Sequence, residues 1–242
     1  MGEGGSVSEG NGLRITVSQN GPYIVSGGVP VAQQIIDADQ EGNSRDWRQG
    51  QTYDAPSEYN LCRCGNSQNK PFCDGSHLRV GFEGSESAAA RVPYVEQAVE
   101  YDGQERILTD AKALCAGARF CDPNGTVWRL VARTGDDSVR EVFDGMVGNC
   151  PSGRLISWNR RTLKAIEPSR EPTIGVVEDP VLGVSGPLWV TGGIQVESGT
   201  DGYHYEQRAR MTLCRCGQSA NKPFCDGTHA AIGFRDAFWD AA

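Results

Sequence analysis

The sequence predicts an α+β protein made of small β-rich modules: two related units of strands and a short helix, flanking an unrelated α+β insert. Three observations predict it. The chain of 242 residues holds 31 glycines and 12 prolines with 38% hydrophobic content, which describes short strands joined by many turns around modest cores. Apolar and polar residues alternate in short runs bounded by Gly and Pro. A block of three cysteines and one histidine occurs twice, each member recurring 152 positions later (62 to 214, 77 to 229), so the fold is expected to repeat as well.

In chain order, residues 1–12 are mostly Gly, Ser, Glu and Asn, and are expected to form a disordered leader. The first unit spans 13–90. Leu13, Ile15 and Val17 alternate with polar residues, Asn20-Gly21-Pro22 turns the chain, and Tyr23 to Val29 supplies a second strand. The phrase returns as Gly186-Pro187-Leu188-Trp189-Val190-Thr191-Gly192-Gly193-Ile194 in the second unit, 170–242. Gly21 stands 41 positions before Cys62 but Gly186 only 28 before Cys214, which predicts a polar insertion around Asp37 to Gln51 on a loop of the first unit. Ser85 to Arg91 reads as a linker. In the middle unit, 95–165, Val139, Val142, Phe143, Met146 and Val147 recur at helical spacing after a cap at Asp136 to Ser138, and Pro151 should end that helix beside Cys150.

The net charge of -8 and the absence of any lysine or arginine stripe argue against nucleic-acid binding. No run approaches the roughly 18 apolar residues of a membrane span, and Met-Gly-Glu-Gly-Gly-Ser lacks the features of a signal peptide. A cytoplasmic protein is expected, and there the nine cysteines stay reduced; an odd number and the tight Cys62-Arg-Cys64 spacing also disfavour disulfides. Neither a nucleotide-binding glycine fingerprint nor a nucleophile-base set is present, so the chain is not expected to be an enzyme.

The repeated blocks run from Cys62, Cys64 and Cys73 to His77, and from Cys214, Cys216 and Cys225 to His229. Thiolates with imidazole are ligands for zinc, iron or copper. The Cys-x-Cys pair can bind one iron and the Cys-x3-His pair, at a turn entering a helix, a second; a single zinc could use the same four groups. Both segments carry the whole pattern Cys-x-Cys-x2-Ser-x3-Pro-x-Cys-Asp-Gly-Ser/Thr-His and thereby resemble the CDGSH iron-sulfur family, the mitoNEET-like proteins. The resemblance implies two [2Fe-2S] clusters, one on Cys62, Cys64, Cys73 and His77 and one on Cys214, Cys216, Cys225 and His229. It also implies a pairing of the two units inside one chain, as an intramolecular pseudo-dimer in a monomer. A neutral imidazole in place of a thiolate raises the reduction potential, and it is also a site where protons compete with iron. Asp74 and Asp226 are expected to bond turn amides rather than metal. Lys70, Lys222, Arg63 and Arg215 are expected to be solvated loop residues.

Cys115, Cys121 and Cys150, the last in Cys-Pro-Ser-Gly, resemble a bacterial ferredoxin set whose central cysteine is replaced by Ala118. The resemblance implies a ferredoxin-like single-cluster domain. Three thiolates suit a [3Fe-4S] cluster; alternatively a [4Fe-4S] cluster takes its fourth ligand from solvent or Asp122. Buried cysteines without metal are the remaining alternative. His204 has no counterpart in the first unit and is expected to be a surface or strand residue. The function expected is electron transfer with an unidentified redox protein. Iron-sulfur storage, transfer to an acceptor, or sensing is the second reading, and a zinc-stapled interaction protein the third.

Overall fold

The computed structural model describes residues 12–236, so the expected leader, except Gly12, lies outside the described residues. The N-terminal half contains β1 (Arg14–Val17), β2 (Tyr23–Ser26), β3 (Val31–Ala38), β4 (Ser44–Tyr53), β5 (Glu58–Leu61) and α1 (Ser76–Arg79), followed by α2 (Tyr94–Gln97). The middle contains β6 (Val99–Asp102), β7 (Arg106–Asp110), α3 (Val127–Leu130), α4 (Asp137–Gly148), β8 (Leu155–Asn159) and β9 (Ala165–Ile166). The C-terminal half contains β10 (Ile174–Asp179), β11 (Val184–Thr191), β12 (Gln195–Ser198), β13 (Arg210–Leu213) and α5 (Thr228–Ala231). Short strands dominate, with few helices, as the composition predicts for an α+β protein of β-rich modules.

The halves exchange strands. One sheet has the order β12-β1-β2-β5 and another β13-β11-β10-β3-β4. Thus β12 leaves its own half to lie parallel to β1, with Val196 opposite Ile15, and β3 crosses to lie parallel to β10, with Val31 opposite Ile174. The alternating positions of β1 and β2 face inward, and Val17, Tyr23 and Val25 join Ile174, Leu188 and Leu213 in one core. Neither half buries its apolar face without the other.

The polar stretch from Asp37 to Gln51 is not a loop. It is most of the β3–β4 hairpin, and β4 is an edge strand exposed along most of its length, so no alternation marks it in sequence. The Asp39 carboxylate accepts from the Asn43 amide (2.8 Å) and from Arg45 Nε (2.7 Å) to hold the turn. Trp47 anchors the hairpin to the middle domain: its ring lies 4.9 Å from Phe120 and 4.5 Å from Trp189, and its Nε1 donates to the Asn149 carbonyl (3.0 Å).

Ser85 to Arg91 is a strap rather than a free linker. The Ser87 amide donates to the Lys222 carbonyl (2.7 Å), and the Glu86 carboxylate accepts from the Ser198 and Tyr205 hydroxyls.

In the middle, α4 buries Phe143, Met146 and Val147 against Leu108, Leu130 and Leu155, while Val142 faces outward at 40% exposure. Asp136 caps the helix, accepting from the Ser138 and Val139 amides. The far end is capped from outside. Arg210, buried on β13, donates to the carbonyls of Val147 (3.2 Å) and Gly148 (3.1 Å) at the helix C-terminus and to that of Leu155 (2.9 Å) on β8. The strand that carries this arginine runs directly into Cys214.

Candidate metal centres

Strands β5 and β13 end one residue before Cys62 and Cys214, and the chain then folds back on itself. Cys62 and Cys214 donate their amides to the carbonyls of Pro71 and Pro223 (2.8 Å each), and Cys73 and Cys225 donate theirs to Asn60 and Thr212 (2.9 Å each). The serine of the pattern closes the loop: Ser67 Oγ donates to the Phe72 carbonyl (2.6 Å) and Ser219 Oγ to that of Phe224 (2.7 Å). Lys70 and Lys222 each donate Nζ to that serine's carbonyl at 2.7 Å. The aspartates bond turn amides, Asp74 those of Gln68 and Ser76, and Asp226 those of Ala220 and Thr228. The Gln68 and Ser76 amides hold the Asp74 carboxyl well below its ordinary pKa. For Asp226, burial pushes upward but the Thr228 and Ala220 hydrogen bonds outweigh it. Each aspartate thereby sets the turn that starts the helix bearing His77 or His229.

The donors come in pairs. Cys62 Sγ lies 3.8 Å from Cys64 Sγ, and Cys73 Sγ lies 3.4 Å from His77 Nδ1; in the second copy the separations are 3.9 and 3.4 Å. With metal-sulfur and metal-nitrogen bonds of about 2.3 and 2.0 Å, a tetrahedral metal sets such pairs about 3.8 and 3.5 Å apart. Each pair in both copies therefore fits a tetrahedral metal. Among the described residues, no three His, Cys, Asp or Glu side chains converge on a single ion. The amides of Gly75 and Gly227 point at the sulfurs of Cys73 and Cys225 (3.4 Å each), adding the outer hydrogen bonds that orient ligands and favour negative charge on sulfur.

The two sites are unequal in cover. His77 and Cys73 are half-buried, whereas His229 is 6% and Cys225 3% exposed. Burial, helped by the nearby Arg215 charge, lowers the His229 pKa to about 4. Arg63 and Arg215 are not solvated loop residues; both are about 1% exposed. Arg63 reaches inward to the Ser18 carbonyl (2.9 Å) and lies against the Tyr23 and Phe82 rings. Arg215 is paired with Glu178 (2.9 Å) and Asp236 (2.8 Å) and donates to the carbonyls of Gly186 and Val177. Their positions inside ligand loops suggested solvent, but each loop is covered by strands or a return of chain distant in sequence.

Cys115, Cys121 and Cys150 line one cavity, with Ala118 on its wall where a ferredoxin would place a further cysteine. Asp122, the alternative protein ligand, is exposed and does not line it. A cluster held here would meet three thiolates, and the described lining residues include no further Cys, His, Asp or Glu. Burial pushes the Cys121 thiol up to about 12 when no metal is bound. Sequence reading missed Arg154, which lines the cavity and is held by the Asp110 carboxylate at 2.5 and 2.8 Å while Trp128 Nε1 donates to the same group. No spacing rule marks it; only its place four residues after Cys150 hints at a role. His204 is exposed, 3.8 Å from Glu197, and takes no part in these sites.

Two family patterns match the chain: "Iron-binding zinc finger CDGSH type" over residues 20–78 and 185–230, and "Divergent 4Fe-4S mono-cluster" over 101–160. The chain carries two CDGSH domains around a divergent ferredoxin-like single-cluster domain. It is an iron-sulfur protein. No curated protein and no solved structure matches it. The matched CDGSH segments contain every donor pair described above, and the mono-cluster segment contains the whole triad. Among the described residues, no helix is long and apolar enough to cross a membrane.

Proposed function

We propose that this CDGSH protein is a cytoplasmic electron carrier, not an enzyme, holding two [2Fe-2S] clusters and one [3Fe-4S] cluster and exchanging electrons with a redox protein. The observation that carries this reading is the pairing of donors at tetrahedral separations in both repeats, beside a three-cysteine cavity whose described lining holds no fourth Cys, His or carboxylate. When bound, such clusters take up and return single electrons. The chain supplies thiolates and imidazoles of set orientation, amide hydrogen bonds to sulfur, and exclusion of water from most of the ligands. Iron and sulfide counting with low-temperature EPR tests the reading. A [3Fe-4S] signal that disappears in Cys115→Ala is expected, and a spectrum fully explained by [2Fe-2S] centres would remove the middle cluster. Colourless protein containing zinc would remove all three.

Storage, transfer or sensing of clusters is favoured by one observation, the half-buried His77 at the edge of the N-terminal site. Protons compete with iron for imidazole, so falling pH weakens this ligand. Because His229 is buried, the expected order on acidification is loss from the N-terminal site first and from the C-terminal site later. His77→Cys should slow the early phase of visible bleaching in a pH-jump and lower the potential of that site; an unchanged early phase would argue against release through His77. Rapid donation to an apo-acceptor without redox cycling would favour cargo over electron carriage.

A further inference from the structure

The repeat is symmetric in sequence and unequal in its surroundings. Gly75 and Gly227 hold the same place, two residues before the metal-binding histidine, with the same left-handed backbone (φ +82° and +87°). Among the described residues a Cβ at Gly75 would meet nothing within 4 Å, but at Gly227 it would stand 3.1 Å from the carbonyl oxygen of Cys115, the first cysteine of the triad. The same loop donates from Asn221 Nδ2 to the Ala113 carbonyl (3.4 Å), whereas its counterpart Asn69 is exposed. On its other side the C-terminal ligand loop meets the N-terminal one. A Cβ at Gly65 would lie 2.7 Å from the Cys216 carbonyl oxygen, and one at Gly217 would lie 2.6 Å from that of Cys64. Among the described residues the N-terminal half reaches the middle domain by hydrogen bonds from Arg45 and Trp47 of the β3–β4 hairpin and from Tyr94 of α2, and none comes from its ligand loop.

The geometry points to the C-terminal CDGSH site as the junction of the protein: although last in sequence, it lies between the other two, and the backbone contact of Gly227 with Cys115 couples the triad to the paired sites. This ordering rests on the reading of all three sites as iron-sulfur clusters. It makes the N-terminal site the terminal member of the series, coupled to the triad only through the C-terminal ligands.

The test uses the iron-loaded full chain, reduced with dithionite, and reads the microwave power saturation of the [2Fe-2S] signals. Cys62→Ser/Cys64→Ser leaves the C-terminal signal alone, and Cys214→Ser/Cys216→Ser leaves the N-terminal one. In each background, Cys115→Ser/Cys121→Ser removes the triad. The expected result is a severalfold loss of half-saturation power for the C-terminal signal and little change for the N-terminal one. Equal losses, or a larger loss for the N-terminal signal, would overturn the ordering. Where a ligand variant does not fold, Gly227→Ala and Gly75→Ala keep every ligand and carry matched backbone strain. Gly227→Ala alone is expected to alter the triad's line shape; alteration by both or by neither overturns the proposal. Absence of [2Fe-2S] signals from the unaltered protein would instead overturn the cluster reading on which the ordering rests.

Discussion

Arg215→Met is expected to cost about 3–5 kcal/mol of stability and to empty the C-terminal metal site, because it strands the buried Glu178 carboxylate without its cation. The side chain of Arg215, the residue between Cys214 and Cys216 in the sequence, is fully buried, its partners Glu178 and Asp236 being 1% and 9% exposed at the side chain. Burial works against its charge, but the two carboxylates outweigh this and keep it protonated. Removing it leaves Glu178 with the Ser185 hydroxyl as a neutral partner (2.6 Å), insufficient for a buried anion. The same change also releases the carbonyls of Gly186 and Val177, on the strands that support the loop. Arg63→Met provides the comparison, since Arg63 binds backbone carbonyls and aromatic rings and has no ion pair among the described residues. Its loss should cost less, about 1–3 kcal/mol, the penalty for unsatisfied carbonyls. Urea unfolding and iron content of the two variants check this; equal costs would show that the Arg215 ion network adds nothing to the loop.

What could be read from sequence followed the range of the physics involved. The repeated donor pairs were legible because metal-ligand chemistry puts Cys and His at short spacings, and β1 and β2 because a half-buried strand alternates. The helix over 137–148 was legible from its apolar stripe and its Asp136 cap. Strand β4 was hidden because an exposed edge needs no apolar partner on most of its residues, leaving Trp47 and Tyr53 as its aromatic anchors. The burial of Arg63 and Arg215 was hidden for a different reason. A charged residue in a Gly-rich loop is exposed unless another part of the chain covers it, and here the cover comes from Ser18 and Gly84 in one case and from β10, β11 and Asp236 in the other. Likewise Arg210, which ties the end of α4 to the strand leading into Cys214, acts across 62 or more positions of sequence and follows no local rule.

The contact between the repeated ligand loops is of this long-range kind, and Gly65→Ala is expected to disrupt it at both sites. Gly65 and Gly217 have φ of +78° and +79°, where an L side chain costs about 1–2 kcal/mol. Each new methyl would also press on the carbonyl oxygen of the other loop's inner cysteine, at 2.7 Å for Gly65 and 2.6 Å for Gly217. The obstacle is backbone, which cannot turn aside as a side chain can, so overpacking adds about 1–3 kcal/mol. Separation of the loops moves Cys216 and Cys64 away from their partner sulfurs, and iron should fall at both CDGSH sites although only one residue has changed. Gly75→Ala carries the same strain at φ +82° with no obstructing atom among the described residues, so it should lower the thermal midpoint modestly and leave iron in place. If Gly65→Ala and Gly75→Ala retained the same iron and melted together, the two loops would not be in the tight contact that makes a glycine necessary. A selective loss in Gly65→Ala would instead mean that the repeated cysteines are held in place by each other's backbone, each copy of the motif depending on the second.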